Sequence, residues 1–320
     1  MGVNKDKPDR WKTDIAKSVD FYNDWFLRSA PQVFKETRLK TSTQVEQVLK
    51  LTANFTRLNS EVLQEYPTIL PVLRMATCPP IARDRLIGLA GVPRNLVKSM
   101  EDNERVPPLM KPLQLQENLK KIEKVIRDLL DSDIFVWLDR GDEGKTEEIR
   151  RAATIIADRL CGAEANPILR NAQEKRQLAS IQRWLKEHGY TFSESTTGKK
   201  FDDLSPGTFA FHFNVPVRQT NSDKEVKMPI DVIIMPLTAK PGDFPVLIEA
   251  KSAGDFTNTN KRRKEEATKV SQLRSTYGNG IRFILFLSGY FDSNYLQYEA
   301  AEDIDWIWEH RVSDFAEFGL

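Results

Sequence analysis

The amino-acid sequence predicts an α/β fold: a mixed sheet flanked by helices over residues 164–320, behind an all-α N-terminal domain over residues 1–163. Three observations carry this reading. Residues 1 to about 163 place their apolar side chains at helical spacing. Beyond Cys161-Gly162, short strand-like runs appear at Thr208–Val217, Met228–Leu237, Phe244–Lys251 and Ile281–Ser288. Two of those runs carry ionisable residues where a buried strand should have none: Asp231 interrupts an Ile/Val run, and Glu249 and Lys251 close another.

Composition bounds the classes. A chain of 320 residues with 40% hydrophobic and 29% charged content has the make-up of a soluble globular protein of two domains. A net charge of +1 excludes a surface that is basic throughout, so any nucleic-acid contact must be local. Cys78 and Cys161 match no zinc spacing, and His188, His212 and His310 are scattered, which argues against a Cys/His metal site or nucleophile. The polar start MGVNKDKPDRWK lacks the apolar segment of a signal peptide, and the apolar run Ile281–Ser288 is too short to span a bilayer. The expected setting is the cytoplasm, away from any membrane.

The elements follow in order. Val45, Val48, Leu49, Thr52 and Phe55 define a helical stripe within Gln44–Leu58; Leu115, Leu119, Ile122, Ile126 and Leu129 define another. Ile149, Ala153, Ile156 and Leu160 form a third, with Thr146 as its cap and Glu147 and Glu148 in its first turn. Prolines 67, 71, 79, 80, 93, 107, 108 and 112 punctuate the helices. A new helix is expected from about Pro167 to His188, then strand Thr208–Val217, a polar hairpin Gln219–Lys227, the two charged strands, a helix Lys261–Tyr277 and the strand Ile281–Ser288.

Successive strand residues face opposite ways, so Glu249 and Lys251 share a face and Ala250 points into the core. Glu-x-Lys alone is a weak signal, and the chain contains two decoys: Glu143-Gly144-Lys145 in a charged loop and Glu225-Val226-Lys227 in the polar hairpin. Only Glu249-Ala250-Lys251 ends an apolar strand and follows an embedded Asp, at a separation of 18 residues from Asp231 to Glu249, enough for a strand, a turn and a return. This is the Asp, Glu, Lys pattern of a PD-(D/E)xK nuclease core. Two carboxylates suit Mg²⁺, which polarises a phosphate and lowers the pKa of bound water. Asp231 and Glu249 are the expected metal ligands, with the Ala250 carbonyl a third, and Lys251 orients or deprotonates water or stabilises transition-state charge. Glu174 lies four residues before Leu178 on the stripe Leu178, Ile181, Leu185, and so faces the sheet; it either joins the site or pairs with Arg170 or Arg176. The structural alternative for the triad is a buried salt-bridge network.

Immediately after Lys251, Thr257, Asn258, Thr259 and Asn260 are short donors and acceptors suited to bases, phosphates or helix capping. Lys261, Arg262, Arg263 and Lys264 then put positive charge in a helix's first turn, against its dipole, a conflict that a polyanion removes; the alternative is a solvated helix. Arg83, Arg85, Arg94 and Lys98 form a second basic group around a Gly-rich turn, with Pro93 opening a helix, or they simply decorate a packed helical domain. The last twenty residues carry six acids and one arginine beside Trp306, Trp308, Phe315 and Phe318, a packing or dimer element rather than a DNA surface.

The stretches ARDRLIGLAGVPRNLVKSME, RNAQEKRQLASIQRWLKEHGY, PIDVIIMP, LIEAKSAGDFTNTNKRRKEEATK and FLSGYFD with DIDWIWEHR resemble the XamI-type family of Type II restriction endonucleases over most of the chain. The resemblance implies Mg²⁺-dependent cutting of double-stranded DNA at a short palindrome, GTCGAC being the site associated with the family. It implies a homodimer with each subunit cutting one strand, and a cognate DNA methyltransferase in the same bacterial system with no direct contact. The family's catalytic Asp, Glu and Lys fall on Asp231, Glu249 and Lys251. A structure-selective repair or recombination nuclease on the same core, or a non-catalytic DNA-binding protein on a nuclease scaffold, are the rival readings. If Arg262 and Arg263 bind phosphates, replacing either by alanine weakens DNA binding and lowers the slope of log K against log salt by about 0.9 for each phosphate left unneutralised. An unchanged slope removes them from the interface.

Overall fold

The computed structural model describes residues 2–194, 201–218, 225–257 and 259–320, the side chains of Asp202, Asn260, Lys261, Arg262 and Arg263 excepted. The chain forms two compact units: Ala30–Leu169, and Met1–Ser29 together with Arg170–Leu320. This division differs from a cut between residues 163 and 164. The Cys161-Gly162 pair is no break, because one helix, α8 (Thr146–Glu187), runs straight through it and carries Pro167 in its interior. The first residues belong with the sheet rather than with the helical unit: the amides of Val3, Asn4 and Lys5 all donate to the Asp305 carboxylate, at 2.6, 3.0 and 2.9 Å.

The helical unit takes the later part of α1 (Pro8–Leu51), then α2 (Ser60–Glu65), α3 (Leu70–Met75), α4 (Arg83–Ala90), α5 (Arg94–Asp102), α6 (Pro112–Asp128), α7 (Val136–Arg140) and the first part of α8. The expected stripes are its core. Val45, Val48, Leu49 and Phe55 are buried, as are Leu115, Leu119, Ile122 and Ile126. The first stripe does not stay helical to Leu58: Ala53, Asn54 and Phe55 adopt left-handed backbone, and the Phe55 amide donates to Thr52 Oγ1 at 3.1 Å, which ends the helix while still burying Phe55. Pro67, Pro93 and Pro112 stand at helix starts, where the missing amide costs nothing.

The second unit is a six-stranded mixed sheet in chain order: β1 (Thr191–Phe192), β2 (Thr208–Arg218), β3 (Glu225–Ile234), β4 (Val246–Ala253), β5 (Arg282–Gly289) and β6 (Asp305–Trp308). β2, β3 and β4 are antiparallel neighbours, while β4, β5 and β6 run parallel. The parallel step from β4 to β5 needs a crossover, which α9 (Thr259–Tyr277) supplies, and α10 (Ser293–Ala301) makes the next one. The Glu225-Val226-Lys227 decoy opens β3, paired with Pro216–Arg218, rather than lying in a loop. Between these strands, residues 219–224 of the expected hairpin lie outside the described residues.

One face of the sheet packs Val232, Ile248 and Phe286 against Leu178, Ile181 and Leu185 of α8. The other packs Ala210, Ile233, Leu247 and Leu285 with Val270 and Leu273 of α9 and Tyr295 of α10. The hairpin changes allegiance midway. Phe209 and Phe211 belong to the α8 side, but Phe213, Val215 and Val217 belong to the α9 side, and His212 between them has φ of 53°. On β3 the same reversal separates Met228 and Ile230 from Val232 and Ile234, and Asp231 stands at the switch. A period of two cannot produce this pattern without a local twist of the backbone. Trp306, Trp308 and Phe315 are fully buried, so the aromatic ending is packing.

Gly289 closes β5 at φ of 94°, where an added Cβ would collide with the Ala253 carbonyl. Gly289→Ala is expected to lower unfolding free energy by about 1–3 kcal/mol in urea titrations; an unchanged midpoint would mean that the two strand ends separate at little cost.

Candidate active site

β3 and β4 pair only through Val232↔Ile248, Ile233↔Leu247 and Ile234↔Val246. At Asp231 the ladder stops, and its carboxylate takes over: Oδ2 accepts the Ala250 amide at 2.8 Å. The strands part beyond this point. They leave a cleft of about 350 Å³ lined by Arg170, Gln173, Glu174, Gln177, Asp231, Glu249, Ala250, Lys251, Ser252 and Glu265. A somewhat larger cavity in the helical unit, lined by Phe55, Arg127, Trp137 and Asp142 among others, holds no comparable convergence of carboxylates and lysines.

Glu249 and Lys251 share one face, as strand alternation requires. Glu249 Oε1 accepts from Lys251 Nζ at 2.9 Å and from Lys269 Nζ, on α9, at 2.6 Å. Its other oxygen, Oε2, is buried and has no hydrogen-bond partner. Lys251 Nζ also lies 3.8 Å from Oε1 of Glu266, a fully buried residue on α9 whose Oε2 accepts from Tyr295 Oη at 2.7 Å. Burial raises the pKa of Asp231, and the neighbouring Glu249 charge adds to it, against the Ala250 amide and the two lysines. Burial pulls the Lys251 pKa down, but the charge and hydrogen bond of Glu249, then Glu266 and Asp231, outweigh it and leave it raised. Burial likewise raises Glu266. Among the described residues, the cleft therefore holds more carboxylates than cations.

Behind it, α8 sets the strand backbone. Gln177 Nε2 donates to the carbonyls of Lys251 and Phe286, each at 3.1 Å, and Gln173 Nε2 donates to Ser252 Oγ. Arg176 pairs with Glu309 through both carboxylate oxygens, at 3.0 and 2.7 Å, and donates to Ser288 Oγ at 3.0 Å. Its guanidinium lies 4.6 Å from the Trp25 ring centre.

Asp231, Glu249 and Lys251 thus meet in one cleft. Ala250 lines it too and is half-buried rather than pointing into the core. Glu174 joins them, but not on an apolar face: its side chain is 49% exposed. It pairs with neither Arg170 nor Arg176; its Oε1 lies 3.9 Å from His212 Nε2. Ligand atoms of Glu174, His212 and Asp231 lie within 4.8 Å of one another, so this carboxylate–histidine cluster can hold a metal ion. The residues also fit a hard cation between Asp231 and Glu249, since the unpartnered Glu249 Oε2 and the raised Asp231 are relieved by positive charge.

Four contributors escaped the sequence reading: Gln177, Glu266, Lys269 and His212. Glu266 had a usable signal, since it continues the buried stripe Val270, Leu273 of α9, which leaves Lys269 one turn away beside the strand. His212 had none: the β2–β3 register pairs Phe211 with Val232 and Phe213 with Ile230, and no residue pattern marks the position between them.

Among the expected DNA contacts, Thr257 is exposed and its amide donates to Asp255 Oδ1 at 2.8 Å; Lys264 is exposed. Asn258 and the side chains of Asn260, Lys261, Arg262 and Arg263 fall outside the described residues. Thr259 is buried. In the helical unit, α4 and α5 join through Gly91 in left-handed backbone, forming a helix–turn–helix with Arg85 and Lys98 exposed. Arg83 pairs with Asp102 at 2.7 Å and Arg94 with Asp84 at 3.5 Å. Such surface pairs are worth little and yield readily to a stronger anion.

Residues 53–308 match the family model of the XamI restriction endonuclease. Over 317 residues the chain is 50% identical to the Type II restriction enzyme SalI of Streptomyces albus G, covering 99% of each protein. The chain belongs to the XamI restriction endonuclease family. Among solved structures, protein VC1899 from Vibrio cholerae aligns over 91% of this chain and 55% of its own at 13% identity, with a TM-score of 0.26, too low to carry an argument about fold. No helix among the described residues is long and apolar enough to cross a membrane.

Removing Arg176 strands Glu309, whose side chain is 1% exposed. Arg176→Met is expected to cost about 3–5 kcal/mol near neutral pH. Burial raises the Glu309 pKa, so the folded state holds this proton at pH values where the unfolded chain has lost it. Stability from this group is full below the unfolded carboxyl value and falls as pH rises through the folded one. Urea titrations across pH should show the Arg176→Met penalty shrinking on acidification; a pH-independent penalty would assign it to lost packing.

Proposed function

We propose that this chain is a Type II restriction endonuclease on a PD-(D/E)xK core, hydrolysing both strands of duplex DNA at a short palindrome, with Asp231, Glu249 and Lys251 as its catalytic residues. The observation that carries the assignment is their convergence in one cleft where β3 and β4 part, in a chain of the XamI restriction endonuclease family. Asp231, Glu249 and the Ala250 carbonyl are the residues to hold Mg²⁺, which supplies charge at the scissile phosphate and acidity to a bound water.

The protein's own groups divide the remaining work. Asp231, fixed by the Ala250 amide, sets one side of the metal position. Lys251 orients the attacking water and faces the charge that develops on phosphorus as the new P–O bond forms and the bond to the leaving ribose oxygen breaks. Lys269 shares Glu249 Oε1 with Lys251 and keeps that carboxylate aimed. Glu174 stands at the mouth of the same cleft. Thr257, Asn258, Asn260 and the run Lys261–Lys264 follow β4 directly and meet the DNA backbone or base edges; Arg83, Arg85, Arg94 and Lys98 form a second contact on the helical unit, which serves recognition or dimerisation.

The proposed site is GTCGAC, as the family resemblance implies. A two-fold sequence is met most simply by a homodimer that brings one cleft to each strand. The cytoplasm of a bacterium carrying a cognate methyltransferase is the setting in which such an enzyme is tolerated.

Digestion of a long duplex with wild type and Lys251→Ala, in Mg²⁺ and in EDTA, tests the reading. Discrete Mg²⁺-dependent fragments ending at one palindrome, absent in EDTA and reduced by about 10³-fold or more in the variant, are expected. A smear, cleavage confined to branched DNA, or full activity of Lys251→Ala would refute it.

A further inference from the structure

His212 is the one described residue in the middle of the β2–β3 ladder whose backbone is left-handed, at φ of 53°. A non-glycine residue in that region is strained and persists only where its surroundings hold it there. Packing alone does not account for it, because the side chain is 60% exposed. Its ring instead lies beside two residues that line the cleft: Nε2 is 3.9 Å from Glu174 Oε1, and ligand atoms of these two and of Asp231 all lie within 4.8 Å of one another. Three separate elements, α8, β2 and β3, contribute one ligand atom each. An exposed His–Glu ion pair would be worth less than the backbone strain it requires. The same cleft also contains a buried carboxylate oxygen, Glu249 Oε2, with no hydrogen-bond partner among the described residues.

We infer that His212 supplies an imidazole nitrogen to a second cation position, completed by Glu174 and Asp231, that favours a borderline divalent ion such as Co²⁺ or Zn²⁺ over Mg²⁺. The donor set decides the preference. Two carboxylates and an imidazole suit borderline ions, whereas the all-oxygen set of Asp231, Glu249 and the Ala250 carbonyl suits a hard one. Asp231 belongs to both sets, so occupancy of one position bears on the other. The proposal rests on the reading of Asp231 as a metal ligand. The other two histidines are placed elsewhere: His188 stacks on Trp184, and His310 lies beside Asp14.

The test uses Mn²⁺ as the probe and the intact protein without DNA. Pulsed electron paramagnetic resonance of bound Mn²⁺ is expected to show imidazole-nitrogen modulation in wild type. His212→Asn should abolish it and weaken Mn²⁺ binding by at least about tenfold in calorimetry, a loss no smaller than that for an outer-shell partner. Asparagine tolerates left-handed backbone, so this variant keeps the strand. His212→Asp should retain Mn²⁺ binding without nitrogen modulation and narrow the preference for Co²⁺ over Mg²⁺. Wild type lacking the modulation, or His212→Asn retaining it, overturns the proposal. Cleavage of duplex DNA in Mg²⁺ is scored separately. Cutting without nitrogen modulation sinks the imidazole ligand and spares the nuclease reading, while modulation without any cutting does the reverse.

Discussion

The hydrogen bond from the Ala250 amide to the Asp231 carboxylate is the interaction from which the site follows. An antiparallel ladder normally satisfies each amide with a carbonyl across the gap, and here a side chain intrudes in its place. The substitution frees β3 to leave β4 and continue with β2 alone, as a two-stranded hairpin that packs on α9. Everything chemically distinctive lies at that fork: the reversal of side-chain alternation at Asp231 and His212, the buried Glu249, and the lysines that reach it from β4 and α9. An asparagine at 231 could still accept the amide, but it would take away the charge for which the cleft is built.

Charge balance in the cleft explains why so many groups are engaged with one another. Glu249 and Glu266 are buried, and Asp231 is half-buried; among the described residues, Lys251 and Lys269 are the cations paired with the two glutamates. One oxygen of Glu249 takes both ammonium groups and the other takes none. Among the described residues, two lysines neutralise three carboxylates only in part, which is the charge balance that the proposed cation position would complete.

Much of this was legible in the sequence. The strands β2 to β5 and helix α9 follow from runs of branched and aromatic residues and from the charged helix between them, each within a few residues of its observed ends. Asp231, Glu249 and Lys251 could be picked out because charge in an apolar strand is expensive and so needs a reason. The two long helices were not legible: Pro31 and Pro167 lie inside α1 and α8, and local propensity, which penalises an interior proline, breaks a helix that tertiary packing keeps whole. β6 and α10 were hidden because a four-residue strand flanked by acids offers too short a period to read. His212 was beyond reach, since its role depends on a backbone angle that no residue pattern encodes.

The N-terminal segment gives the molecule an order of assembly. Val3, Asn4 and Lys5 close on Asp305, Asn4 reaches the Trp306 carbonyl, and Asp14 meets Arg311. These contacts join residues some three hundred positions apart, whereas the helical unit draws only on the contiguous stretch Ala30–Leu169. On a ribosome the helical unit has all its residues early, while the sheet that carries the cleft must wait for β6 before its first segment can dock. The unit that carries the Asp231 cleft is therefore completed last, after nearly all of the polypeptide has emerged.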